Sequence, residues 1–117
     1  MIHWTRFKKS IQYALHGLSL AWEEQNFRIQ TGAAILVLFF AWFFRVTRTE
    51  IFFLLLVSLI VLVLELVNTI FERFTDFFSP RYSTAARAVK DLMAAAVLVS
   101  SLGALAIGVI IFWPYLL

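Results

Sequence analysis

Four residues have types and spacing that can do chemistry: Glu65, Asn68, Glu72 and Asp76. At 100° per helical residue, Asn68 lies about 60° to one side of Glu65, Glu72 about 20° to that side and Asp76 about 20° to the other. Three carboxylates and a carboxamide therefore share one narrow stripe. Glu65 follows 14 uncharged residues, Ile51 to Leu64, and a lone ionised carboxylate in hydrocarbon costs about 2.5–3.5 kcal/mol even on a lenient insertion scale. It must face protein, water or a cation. A structural seam pairing helices is one reading, a role that a single Asn often fills. Three acids with few bases on the same stripe repel one another unless a cation sits among them, and this favours a functional reading. Oxygen-only donors suit a hard cation such as Mg²⁺, which keeps waters and bridges to substrate phosphates.

A second constellation is Arg87, Lys90 and Asp91. Such residues ordinarily anchor a helix at the membrane boundary. Opposite an acidic stripe at the same depth, they also suit a phosphate or nucleotide. Glu23 and Glu24 stand just before another apolar stretch, where either is solvated or swings over the stripe to complete a metal site. His3 and His16 are isolated and read as interfacial or packing residues. With no Cys in the chain, thiolate metal sites and redox chemistry are excluded.

The elements that must position these residues are helices in lipid. Of 117 residues, 62% are hydrophobic and 15% charged, with a mean hydropathy of +0.89, far from soluble composition. The net charge of +3 does not indicate nucleic acid, because the last 26 residues, after Asp91, carry no charge at all. Three stretches approach the roughly 20 apolar residues that a span requires. Ile29 to Phe44 is bounded by arginines that can snorkel. The second runs from Ile51 to Phe71, and the third from Leu92 to Trp113 before Pro114. The expected spans are about 29–46, 50–72 and 90–113, in a single domain over 1–117.

Ahead of them, Trp4, Phe7, Ile11, Leu15, Leu18 and Trp22 recur at helical steps, with Lys8, Gln12, His16, Ser19 and Glu23 on the opposite stripe. The pattern predicts an amphipathic helix over about 2–24, lying at the interface or packed on the bundle. Its polar interruptions also make it a poor cleavable signal. Arg6, Lys8, Lys9 and Arg28 precede the first span. Arg73, Arg81, Arg87 and Lys90 surround the second loop, and no base follows the third span. Positive-inside counting puts the N-terminus and second loop in the cytoplasm and the C-terminus outside. Ser79-Pro80 marks the turn between the second and third spans. The expected class is an all-α membrane protein with an interfacial helix and three transmembrane helices.

No Walker A loop, kinase Gly-rich loop or dinucleotide fingerprint is present. Two classes remain. One is an enzyme acting on a phosphorylated substrate with Mg²⁺ at the cytoplasmic interface. The other is a small cation- or proton-coupled transporter with Glu65 as its relay. A transporter needs access from both faces, yet Ile51 to Leu64 offers only Ser58 as a polar residue. That favours interfacial chemistry.

Several blocks carry a resemblance to a known family: Glu65-Leu66-Val67-Asn68-Thr69 with Glu72 and Asp76, Ala86-Arg87-Ala88-Val89-Lys90-Asp91, and Ala94-Ala95-Ala96-Val97-Leu98. Tyr13-Ala14-Leu15-His16-Gly17-Leu18 and Glu24-Gln25-Asn26-Phe27-Arg28 add to it. Together they resemble the prokaryotic diacylglycerol kinase family of small integral-membrane lipid kinases, which includes the undecaprenol kinases. The resemblance implies a homotrimer in the bacterial cell membrane, with active sites shared between subunits. It implies transfer of the ATP γ-phosphate to a lipid hydroxyl. In that scheme Glu65 is the general base and Asn68 orients the reacting groups. Glu24 and Glu72 hold Mg²⁺. Lys90 and Asp91 contact the nucleotide, with Arg6 and Tyr13 as weaker contacts. Phosphoryl transfer asks mainly for positioning and charge neutralisation, which these residue types supply without a P-loop. Departures from the family pattern are Ile70 and Phe71 before Glu72, Arg87 where Lys is common, and no His after Pro80. The short N-terminal segment and the Ile111-Phe112-Trp113-Pro114 ending lean toward undecaprenol as acceptor.

Overall fold

The computed structural model describes residues 1–78 and 83–117. The expected turn at Ser79-Pro80, and Arg81 with it, lie outside the described residues. Among the described residues four helices follow in order: α1 (Trp4–Trp22), α2 (Gln25–Phe43), α3 (Arg48–Phe78) and α4 (Thr84–Leu116). The last three are long and apolar enough to cross a membrane.

Local chemistry explains each boundary. Between α1 and α2 the chain turns on two residues, Glu23 and Glu24, whose amides donate to Leu20 O (3.2 Å) and Ala21 O (2.9 Å). Glu24 is extended, with φ −84° and ψ 127°, and occupies the N-cap of α2 without using its side chain as a cap. Its carboxylate is therefore left for other work. Trp22 and Phe27 meet edge to face across the junction, with centroids 6.4 Å apart.

Against the 29–46 expected, the first span is displaced toward the N-terminus: α2 starts at Gln25 and stops at Phe43. Arg45 adopts φ +53°, a left-handed conformation that a side chain pays for. Its amide donates to Trp42 O at 3.2 Å, and that of Val46 donates to Ala41 O at 3.2 Å. This is a Schellman termination, sealed by Ala41 and Val46 inside a buried cluster with Leu54 and Ile111. A capping box then starts α3: Thr47 N donates to Glu50 Oε1 at 2.9 Å and Glu50 N to Thr47 Oγ1 at 3.2 Å. Ser83 caps α4, its Oγ accepting from Ala86 N at 3.3 Å.

Helices α3 and α4 exceed the expected 50–72 and 90–113. At 31 residues, α3 is about 46 Å long, well beyond the roughly 30 Å hydrocarbon layer. Past Glu72 the helix continues to Phe78, and the Thr75 hydroxyl turns back to donate to Phe71 O at 2.8 Å. Pro114 does not end α4, which continues to Leu116. So near the terminus, its missing amide forfeits one helical bond and no more.

Helix α3 is central, with α4 and α2 both packed against it. Its two ends differ. The Glu50 end carries the apolar cluster of Ala41, Val46, Leu54 and Ile111, where Tyr115 Oη donates to Glu50 Oε1 at 2.5 Å. The other half buries Glu65, Asn68, Thr69 and Thr75. Most large apolar side chains of α2, α3 and α4 point outward, the expected disposition where lipid is the solvent.

Candidate active site

Glu65 is 2% exposed and Asn68 6% exposed, although both are strongly polar. One turn along α3, Asn68 Nδ2 donates to Glu72 Oε1 at 3.3 Å. Asn68 Oδ1 is buried with no partner among the described residues. The Glu65 carboxylate makes no ion pair or hydrogen bond with another described residue, though Asn68 Oδ1 is the atom buried without a partner among them. The charges that reach Glu65 are like ones, Glu72 and Glu24. A polar group left this way in an apolar interior is costly, so the arrangement calls for a donor or cation from outside the chain.

Asp76 is different. Lys90 of α4 forms an ion pair with its Oδ1, so antiparallel packing of α4 on α3 supplies the cation that the stripe lacks in sequence. The uncompensated part of the stripe is therefore Glu65, Asn68 and Glu72, not all three acids. Asp91 is engaged by Arg87 within α4, Oδ1 to Nε at 3.4 Å. Arg6 and Tyr13 lie on the exposed surface of α1, Tyr13 at 72%.

Arg73 was not singled out by sequence reasoning, yet it joins the elements. Its Nη2 lies 3.4 Å from Glu23 Oε2 and 3.7 Å from Glu24 Oε1, pinning the α1–α2 junction beside α3. Only its position one residue after Glu72 hinted at this. Beneath the junction is a cavity of about 460 Å³ bounded by Ala14, Gly17, Leu18 and Ala21 of α1 and by Leu66, Thr69, Ile70 and Arg73 of α3. So α1 turns Ala14, Gly17 and Ala21, together with Leu18 and Leu20, toward α3. Trp4, Phe7, Ile11, Leu15 and Trp22 of the aromatic stripe remain exposed.

Among the described residues, no group of three or more His, Cys, Asp or Glu converges to hold a bare metal ion. Mg²⁺ bound together with a nucleotide needs less, one or two carboxylates with phosphates and waters completing the shell. The Glu72 carboxylate, the orphaned Asn68 Oδ1 and the nearby Glu24 fit that smaller demand.

The chain's residues 12–112 match the family described as "Prokaryotic diacylglycerol kinase". The chain is 34% identical over 110 residues to the "Diacylglycerol kinase" of Synechocystis sp. (strain ATCC 27184 / PCC 6803 / Kazusa), covering 92% of this chain and 63% of that protein. It is 35% identical over 117 residues to the "Undecaprenol kinase" of Bacillus subtilis (strain 168), covering 95% and 91% respectively. It thus spans less than two thirds of the Synechocystis relative and nearly all of the Bacillus one. By the breadth of the family match and the level of both identities, this chain belongs to the prokaryotic diacylglycerol kinase family.

Proposed function

We propose that the chain transfers the γ-phosphate of ATP to the hydroxyl of a membrane lipid, the two relatives being named for diacylglycerol and undecaprenol. The observation that carries this reading is the buried Glu65 carboxylate, one turn from Asn68 and two turns from Glu72 on the same face of α3. In the reaction the lipid oxygen attacks the γ-phosphorus, the bond from that phosphorus to the β–γ bridging oxygen breaks, and ADP leaves. The hydroxyl proton goes to Glu65, the general base. Asn68 orients the reacting groups through Oδ1 and steadies Glu72 through Nδ2.

Glu72 and Glu24 would hold Mg²⁺ with the nucleotide, and the ion would supply neutralisation of phosphate charge. Arg73 keeps the α1–α2 junction, and with it Glu24, against α3. Lys90 and Asp91 contact the nucleotide, which requires each to exchange its present partner, Asp76 or Arg87, for the ligand. Arg6 and Tyr13 on α1 are the outermost contacts. We place the protein in the bacterial cell membrane as a homotrimer with α1 at the interface. The exposed aromatic side chains of α1, and a Glu65 with no donor among the described residues, support that arrangement.

The test is turnover of radiolabelled ATP by purified protein in mixed micelles, with diacylglycerol and undecaprenol offered in parallel, with and without Mg²⁺. Magnesium-dependent label in a lipid is the expected result. Silence with both lipids and no nucleotide binding, from folded protein, would transfer the case to a small cation- or proton-coupled transporter with Glu65 as relay.

A further inference from the structure

The α1–α2 junction sets two consecutive carboxylates, Glu23 and Glu24, around a single guanidinium, that of Arg73 on α3. Their residue types are identical, and the backbone separates them. Glu23 is helical, with φ −67° and ψ −22°, and ends α1. Glu24 is extended and opens α2. Both carboxylates approach the same nitrogen, at unequal range. Glu23 Oε2 accepts a hydrogen bond from Arg73 Nη2 at 3.4 Å. Glu24 Oε1 stands at 3.7 Å, beyond hydrogen-bond reach. The Glu24 side chain is also the less exposed of the two, 39% against 66%, and its charge is the one from this junction that reaches Glu65.

A guanidinium is permanently charged and can grip one carboxylate through two parallel bonds. Turned fully onto Glu24, Arg73 would compete with a metal ion for the same oxygen lone pairs. Its hydrogen bond to Glu23 draws it the other way. The junction does not hang on this ion pair alone, because Ala21 is 3% exposed and Trp22 meets Phe27 edge to face. The acid at position 23 is thus placed to govern what Arg73 does to the acid at position 24.

We propose that Glu23 is a positioning residue: by holding Arg73, it leaves the neighbouring Glu24 carboxylate free for a divalent cation bound with the nucleotide. The inference rests on the Mg²⁺-dependent kinase reading above and divides the labour between two acids that are equivalent in sequence. Glu23 touches neither metal nor nucleotide and acts through Arg73. All three side chains are partly solvated, so the effect is modest and falls as salt is raised.

The experiment titrates Mn²⁺, a paramagnetic stand-in for Mg²⁺, into the purified full chain in micelles with a non-hydrolysable ATP analogue. Free Mn²⁺ is read by electron paramagnetic resonance, so no turnover enters the measurement. The variants are Glu23→Gln, Glu23→Asp, Arg73→Gln and the double Glu23→Gln/Arg73→Gln, with Glu24→Gln and Glu72→Gln as ligand controls. Each is checked for a folded, unchanged oligomer. Glu23→Gln is expected to weaken Mn²⁺ binding about threefold at low salt, the size an exposed charge pair allows. Glu23→Asp, which keeps the carboxylate, retains most of the affinity. The double variant binds Mn²⁺ more tightly than Glu23→Gln alone, because the competing guanidinium is gone. An equal loss in Glu23→Gln and the double variant would make Glu23 a ligand or a simple tie of the junction, and overturns the proposal. Binding unmoved by Glu23→Gln overturns it too. Losses confined to Glu24→Gln and Glu72→Gln overturn the role of Glu23 and leave the metal reading standing. Binding unchanged in those two controls as well removes both.

Discussion

Asn68 donates to Glu72 at 3.3 Å while its own carbonyl oxygen stays buried and unpartnered. One half of the carboxamide fixes a neighbour and the other half is held open. Glu65, 2% exposed, stands one turn away on the same helix.

Replacing Glu65 by Gln keeps shape and removes the proposed proton acceptor. Turnover is expected to fall by on the order of 10²-fold or more, with nucleotide binding retained in equilibrium dialysis. Loss of nucleotide binding in this variant would contradict the assigned role.

For Glu72→Gln the expected change is in metal dependence. The half-saturating Mg²⁺ concentration should rise on the order of tenfold or more, since even outer partners of a metal ligand cost that much. An Mg²⁺ titration that superimposes on the wild type would remove Glu72 from the ligand set.

Arg45 sits at φ +53°, a position that suits glycine. Arg45→Gly should stabilise the folded chain by about 1 kcal/mol, read as a higher thermal midpoint in detergent, and Arg45→Val should lower it. A midpoint that falls in the glycine variant would show that the arginine side chain contributes more than its backbone costs.

At the opposite end from the site, Tyr115 donates to Glu50 and so ties the end of α4 to the start of α3. Tyr115→Phe is expected to lower the thermal midpoint by a few degrees while leaving KM for ATP unchanged. A change in KM with stability intact would mean that this tie acts on the distant site.

The chain has no native cysteine, so single cysteines report sidedness cleanly. Thr49→Cys and Thr84→Cys should label with an impermeant maleimide from opposite faces of the membrane, Thr84 from the cytoplasm. Labelling from one common face would break the three-span topology.

Much of the architecture was legible because lipid imposes a strong pattern. Uninterrupted apolar runs had to be helices, since no other open structure satisfies its backbone there, and Glu65 stood out against Ile51–Leu64 for the same reason. Boundaries were less legible. The end of α2 depends on Arg45 accepting a left-handed conformation, which Ala41 and Val46 repay by burial, and no local sequence signal such as glycine announces it.

The sequence by itself determined which residues share the α3 stripe, because 3.6 residues per turn carries Glu65, Asn68, Glu72 and Asp76 to one face wherever the helix lies. Only the tertiary structure decided which of them are free. Antiparallel packing sets Lys90 against Asp76 and Arg73 against Glu23 and Glu24, and the bond from Gln30 to Ser101 ties α2 to α4. These are contacts between residues 14 to 71 positions apart. Periodicity fixes a direction around one helix axis; partners on another helix depend on how the axes pack, and that is settled by long-range contacts no single stretch of sequence contains.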